Sequence, residues 1–253
     1  MSKTALTILA HPDDAEFTCA GTLKLLHDQG WDIHIATMTP GDAGSAEHSR
    51  EEISTIRRQE AAAAAAKLNG EYHCLECSDV FIMYDSDSLL KVVEVIRRVK
   101  PDVVFTASPE DYFVDHENTS RLAWTACFAC GIPNVETPGV EPHDKIPHLY
   151  YVDAMEGKDK YGKSITPAFY VDISSSLDMK EEMLCCHDSQ RSWLMKHHGM
   201  DKYTAIMKEF AAQRGGEIKA DYAEGFRQHL GHGFPQENIL TTEIPNTICE
   251  KGD

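Results

Sequence analysis

The sequence predicts an α/β fold built on a largely parallel sheet. Short apolar runs alternate with stretches of helical periodicity along most of the 253 residues. Two clusters of acidic and histidine residues directly follow apolar runs, at the strand ends where open α/β sheets bind their ligands. Hydrophobic residues make up 42% and charged residues 26%, a balance that suits a folded chain with a substantial core and excludes wholesale disorder. With no internal repeat or low-complexity linker, a single domain over residues 1–253 is expected.

Thr4–Ala10 is a first strand, stopped by His11-Pro12. Glu16–Asp28 repeats apolar residues at helical spacing through Ala20, Leu23 and Leu26. Trp31–Met38 alternates through Ile33 and Ile35 as a second strand and ends in the turn Pro40-Gly41-Asp42-Ala43-Gly44. Ser49–Leu68 reads as a helix, with Ala61–Ala66 inside it and Asn69-Gly70 as its C-terminal stop. Tyr72–Cys77 is a third strand, Ser88–Val99 a helix, Asp102–Ala107 a fourth strand and His116–Cys130 a helix. After a connector rich in Pro and Gly come two late strands, His148–Asp153 and Ala168–Ile173. Ser174–His198 is read as one helix with a serine N-cap, and Asp201–Gln213 as its continuation. Gly215-Gly216 is expected to break the chain before a loop-rich tail.

The net charge of −17 argues against nucleic acid and anionic membranes as partners. No run approaches the roughly 18 apolar residues a spanning helix needs, and a cytoplasmic protein is expected. The chain carries 8 Cys and 13 His. Cys74-x-x-Cys77 and Cys127-x-x-Cys130 have zinc-like spacing, but their flanks read as a strand and a helix rather than knuckles, so thiols are expected there. His27, His34, His197 and His198 read as surface or packing residues.

The strongest local signal is His11-Pro12-Asp13-Asp14-Ala15-Glu16. Adjacent aspartates point in different directions, so one can hold a metal while its neighbour handles a proton. Capping of the next helix would explain one of them, but not the whole run. The second cluster, Pro109 to His116, follows the fourth strand and offers Asp115-His116 at a helix start. His116 can complete a His/Asp/His set with His11 and Asp14, the donor type of catalytic zinc, while Asp115 either supports a ligand from behind or caps the helix.

These segments resemble the LmbE-like, or PIG-L-like, zinc-dependent N-deacetylases. The family's Ala-His-Pro-Asp-Asp pattern stands at Ala10–Asp14, with Glu16 after Ala15. Its Pro-x-Asp-Tyr-His-Pro-Asp-His pattern is matched at Pro109, Asp111, Tyr112, Asp115 and His116. Weaker matches run through Gly41–Ser45, Arg57-x-x-Glu60, His187-x-Ser189-Gln190 and Tyr222–Arg227. The resemblance implies a Rossmann-like, mostly parallel sheet flanked by helices, with the active site at the carboxyl ends of its strands. It implies Zn²⁺ on His11, Asp14 and His116, with Fe²⁺ or Mn²⁺ also suited to such donors, and Asp13 as general base. The implied reaction removes an acetyl group from an N-acetylated amino sugar such as an N-acetylglucosamine conjugate. Arg57 and Asp79 fall where the family contacts the sugar, with Asp42 near them.

The departure is Phe113-Val114, where the family has His-Pro. An aromatic hydrocarbon cannot hold charge or pass a proton, and His187 or His232 is a candidate to fill in. The same departure supports the alternative of a metal-containing module that binds a sugar conjugate without turnover. A phosphoacceptor receiver fits His11 and His116 poorly, and no Gly-x-Gly-x-x-Gly follows the first strand to suggest a dinucleotide enzyme. Relatives often assemble, and Trp193 with the tail would suit a homo-oligomer interface.

Overall fold

The computed structural model describes residues 2–191 and 202–250. The late part of the helix expected to run to His198, together with Trp193, His197 and His198, lies outside the described residues. Strands β1 (Thr4–Leu9), β2 (Asp32–Thr37), β3 (Glu71–Cys74), β4 (Val103–Thr106) and β5 (His148–Val152) pair in parallel in the order β3-β2-β1-β4-β5. The sheet continues through β7 (Ala223–Gln228), β6 (Phe169–Asp172) and β8 (Ile248–Glu250), each antiparallel to its neighbour. Winding reverses between β1 and β4, so the connections leaving these adjacent strands diverge and open a crevice at their carboxyl ends.

Both faces of the sheet are covered, which explains why the parallel strands read as continuous apolar runs. Leu6 and Ile8 of β1 face helices α4 (Ser86–Val99) and α5 (Val114–Ala129), packing with Val92, Ile96, Leu122 and Ala126. Ala5 and Leu9 face the other side. There Leu23 of α2 (Ala20–Asp28), Ala64 of α3 (Arg50–Ala66), Met183 of α6 (Leu177–Leu184) and Met207 of α7 (Lys202–Ile218) close the second core.

Several boundaries differ from the sequence expectation for tertiary reasons. The expected helix Glu16–Asp28 is two, α1 (Asp14–Thr18) and α2, separated at Cys19, where φ is −143°. The break leaves the amides of Gly21 and Thr22 to donate to the buried carboxylate of Glu224, which also pairs with Lys180. Strand β3 is shorter than expected because Glu76 has φ +54° and leaves the ladder. Helix α6 ends at Leu184, short of the expected helix, and the turn that follows carries His187 into the interior. Gly215-Gly216 does not break the chain: α7 runs through both to Ile218. A Cβ at Gly215 would lie 2.7 Å from the carbonyl oxygens of Ala220 and Asp221, so glycine is there to let the returning chain approach. Strand β7 carries no clear strand signal in the sequence. Its Glu224 and Gly225 are poor strand formers, but Glu224 caps α2, and a Cβ at Gly225 would meet Pro167 at 2.5 Å.

Where the sequence suggested its stops, local chemistry agrees. Ser49 and Glu52 form a reciprocal capping box at α3, and Asn69 takes φ +49° at its far end. Cys127 and Cys130 sit buried on the α5 side of the sheet, where Cys130 Sγ donates to the Cys127 carbonyl, and burial holds both thiols above the usual range. No helix among the described residues is long and apolar enough to cross a membrane.

Lys180 and Glu224 are both buried, so removing one partner strands a charge. Lys180→Met should lower unfolding free energy by about 3–5 kcal/mol in urea denaturation, and adding Glu224→Gln should recover much of that loss.

Candidate active site

Strand β1 delivers His11 to the crevice, and the loop after β4 delivers Asp111 and, on the first turn of α5, Asp115 and His116. His11, Asp14 and His116 offer ligand atoms that all lie within 4.8 Å of one another, so the three can hold one metal ion. Their orientation is fixed from behind. His116 Nδ1 lies 3.0 Å from Asp111 Oδ1, which leaves Nε2 towards Asp14, 3.6 Å away. The His11 backbone N–H donates to Asp14 Oδ2 at 2.8 Å, and His11 Nδ1 lies 3.5 Å from the same oxygen. On the far side of the ring, His11 Nε2 stands 3.1 Å from Asp79 Oδ1 and 3.4 Å from Asp115 Oδ2, though neither contact is aligned as a hydrogen bond.

Burial alone would lower the pKa values of both histidines. Instead Asp115, Asp14 and Asp79 raise His11, and Asp14 and Asp111 raise His116. Burial would raise Asp14, but the charges of His116 and His11 hold its carboxyl well below the usual range. Two imidazoles ringed by carboxylates out of water form a strongly negative pocket whose chemistry fits a divalent cation.

Asp13 occupies the N-cap position of α1, yet its side chain accepts no helix N–H. Simple capping therefore does not account for it. Its φ is +95°, a left-handed conformation that costs a non-glycine residue of order 1–3 kcal/mol. Arg57 and Tyr203 hold it there. Arg57 Nη2 donates to the Pro12 carbonyl at 2.6 Å and lies 3.4 Å from Asp13 Oδ1, and Tyr203 Oη donates to Asp13 Oδ2. Burial pushes the Asp13 carboxyl above its usual range, with Arg57, His187 and Tyr203 opposing. Arg57 itself packs across the Gly41 turn, where a Cβ would come within 2.3 Å of Nη1.

His11, Asp13, Asp14, Arg57, Asp79 and His116 line a cleft of about 310 Å³, walled on its apolar side by Phe17, Tyr112, Phe113 and Met155. Phe113 stacks on His11, ring centroids 5.4 Å apart and planes 10° apart. Asp42 supports the rim: Oδ1 accepts from Asp79 N–H at 2.7 Å, and Oδ2 pairs with Arg50. Asp115 is fully buried and accepts from Val80 N–H at 2.8 Å.

Neither histidine expected to replace the missing imidazole reaches the cleft. His187 is 0% exposed, with Nε2 3.4 Å from Glu16 Oε2, and it acts on Asp13 only through charge. His232 is exposed in the loop after β7 and is not among the lining residues. Two contributors were not among the candidate residues. Asp111 stood inside the second motif as a bare pattern match. Tyr203 has no local signal, being 190 residues from the carboxylate it meets.

Residues 6–127 match the family described as PIG-L, GlcNAc-PI de-N-acetylase. The chain is 28% identical to 4-oxalmesaconate hydratase of Pseudomonas putida over 243 residues, covering 89% of this chain and 88% of the relative. It is 27% identical to diacetylchitobiose deacetylase of Thermococcus kodakarensis over 237 residues, covering 89% and 82%. Among solved structures, N,N'-diacetylchitobiose deacetylase from Pyrococcus horikoshii superposes with a TM-score of 0.78 at 25% identity, covering 93% of this chain and 88% of that one. The 4-carboxy-2-hydroxymuconate hydratase of Pseudomonas putida gives 0.75 at 24% identity, covering 93% and 100%, a likeness of fold.

If Asp111 fixes the His116 ring, Asp111→Asn should weaken zinc binding roughly 10–100-fold in a chelator competition while leaving the fold intact by circular dichroism.

Proposed function

We propose, since the chain belongs to the PIG-L (LmbE-like) family of deacetylases and hydratases, that it is a metal-dependent hydrolase of N-acetylated amino sugars or their conjugates. His11, Asp14 and His116 would hold zinc, with Fe²⁺ or Mn²⁺ as substitutes. When bound, the ion supplies Lewis acidity, acidifying water and polarising a carbonyl.

The observation that carries the reading is Asp13. Its carboxylate opens on the cleft beside the metal-holding set, held above its usual range by burial while Arg57, His187 and Tyr203 oppose the rise. Such a group takes a proton from the attacking water and returns it to the departing nitrogen as the amide C–N bond breaks, giving a carboxylate and an amine. Tyr112, Phe113 and Phe17 supply flat apolar surface of the kind that packs against a sugar face or an acyl methyl. Phe113 also keeps water away from one side of His11.

A second reading is favoured by that same phenylalanine. Without an imidazole to assist a leaving amine, the site is better equipped to add water across a carbon–carbon double bond, where no amine departs. The hydratase relative is similar over as much of this chain as the deacetylase. Both reactions use Asp13 as the proton carrier.

The zinc-loaded protein should release acetate from a panel of N-acetyl sugars, and Asp13→Asn should reduce turnover at least ~100-fold with zinc retained. Full activity in metal-free protein would sink both readings. Turnover of an unsaturated polycarboxylate, with no acetate from any sugar, would select the hydratase. Zinc retained and ligand bound without either turnover would leave the binding module.

Tyr203 Oη donates to the charged form of Asp13 and so lowers its pKa. Tyr203→Phe should therefore move the acidic limb of the kcat/KM–pH profile to higher pH.

A further inference from the structure

On β2 and the edge strand β3, away from the residues that line the cleft, the rings of His34 and His73 stack with centroids 5.2 Å apart and planes 17° apart. His34 Nδ1 lies 3.0 Å from His73 Nε2. In the parallel register His34 stands opposite Glu71, and Ala36 opposite His73. Alternation along the strands puts all four side chains on one face. Alanine at position 36 leaves room for the His73 ring to lean back onto His34. Glu71 completes the group, its Oε2 lying 3.9 Å from His34 Nδ1 and its Oε1 4.0 Å from His73 Nδ1.

We propose that His34, Glu71 and His73 form a second site, for a first-row divalent cation of the zinc type, that ties the edge strand β3 to β2. Two imidazoles and a carboxylate are the donors such ions prefer. Their ligand atoms lie within 4.8 Å of one another. The facing nitrogens need to open only slightly to reach the ~3.3 Å that separates two ligands of a tetrahedral ion at 2.0–2.1 Å. The histidine side chains are 21% and 22% exposed, so sheet and neighbours fix the rings, while the carboxylate stays accessible at 69%.

His34 and Glu71 also line a groove of about 420 Å³, which gives water access to the remaining coordination positions. The benefit falls on a short edge, since β3 is a four-residue strand with a neighbour on one side only.

The test uses the full chain, stripped by chelator and reloaded with Zn²⁺, in a His116→Ala background that disables the cleft set. That protein should retain an equivalent of zinc that is lost on adding His34→Gln and His73→Gln, and zinc should raise Tm only while the two histidines are present. Equal zinc content with and without them overturns the proposal. A second readout needs no substitution at the sheet edge: Zn²⁺ should shift the ring-proton resonances of His34 and His73 in His116→Ala, and unmoved signals overturn it equally. Neither measurement depends on the reaction assigned to the cleft.

Discussion

Arg57 is the buried cation on which the acidic end of the sheet depends. The residue is 4% exposed, and its guanidinium reaches across from α3 to the Pro12 carbonyl and sets a positive charge beside Asp13. Without that anchor, the left-handed turn at Asp13 has little to hold it but Tyr203. The cost runs outward along the chain. Gly41 must lack a side chain for Arg57 to pass, and the loop it belongs to is in turn fixed by Asp42 on Asp79 and by Gln190 on the Gly44 carbonyl. Three stretches distant in sequence are thus locked around one side chain.

The histidine pair answers to a different constraint. Each imidazole has one nitrogen directed at Asp14 and the other backed by a carboxylate, Asp111 for His116 and Asp79 with Asp115 for His11. Desolvation and negative charge pull against each other at these rings, and charge wins for both. A cation in the same place would relieve the carboxylates as well. Under either proposed reaction the walls of the cleft would decide the outcome, since activated water serves amide hydrolysis and double-bond hydration alike. Phe113 replaces a polar wall with an apolar one, and that narrows the choice of leaving group more than the choice of nucleophile.

Much of this was legible in the sequence because it is local. The run from His11 to Glu16 is contiguous, the second cluster spans eight residues, and both follow strands whose burial on two faces makes them plain apolar runs. The legible parts stop where a residue is chosen for a distant partner. Glu224 and Gly225 give no strand signal because one serves α2 and the other makes way for Pro167. Gly215 reads as a break because the carbonyls that crowd it come from residues later in the chain. His187 looks like a spare imidazole until its complete burial is seen, and His34 looks like surface until a neighbouring strand brings His73 against it.

The hydroxyl that Tyr203 offers to Asp13 comes from α7, beyond the stretch 6–127 that carries the family match, whereas His11, Asp14 and His116 all lie within it. Asp13 is thus tuned from both sides of residue 127, by Arg57 within the matched stretch and by Tyr203 beyond it. A change at Tyr203 would retune Asp13 while the three residues proposed to hold an ion stay as they are. On the proposed reading, such a scaffold could move between breaking an amide and hydrating an alkene while keeping the residues that would hold its metal.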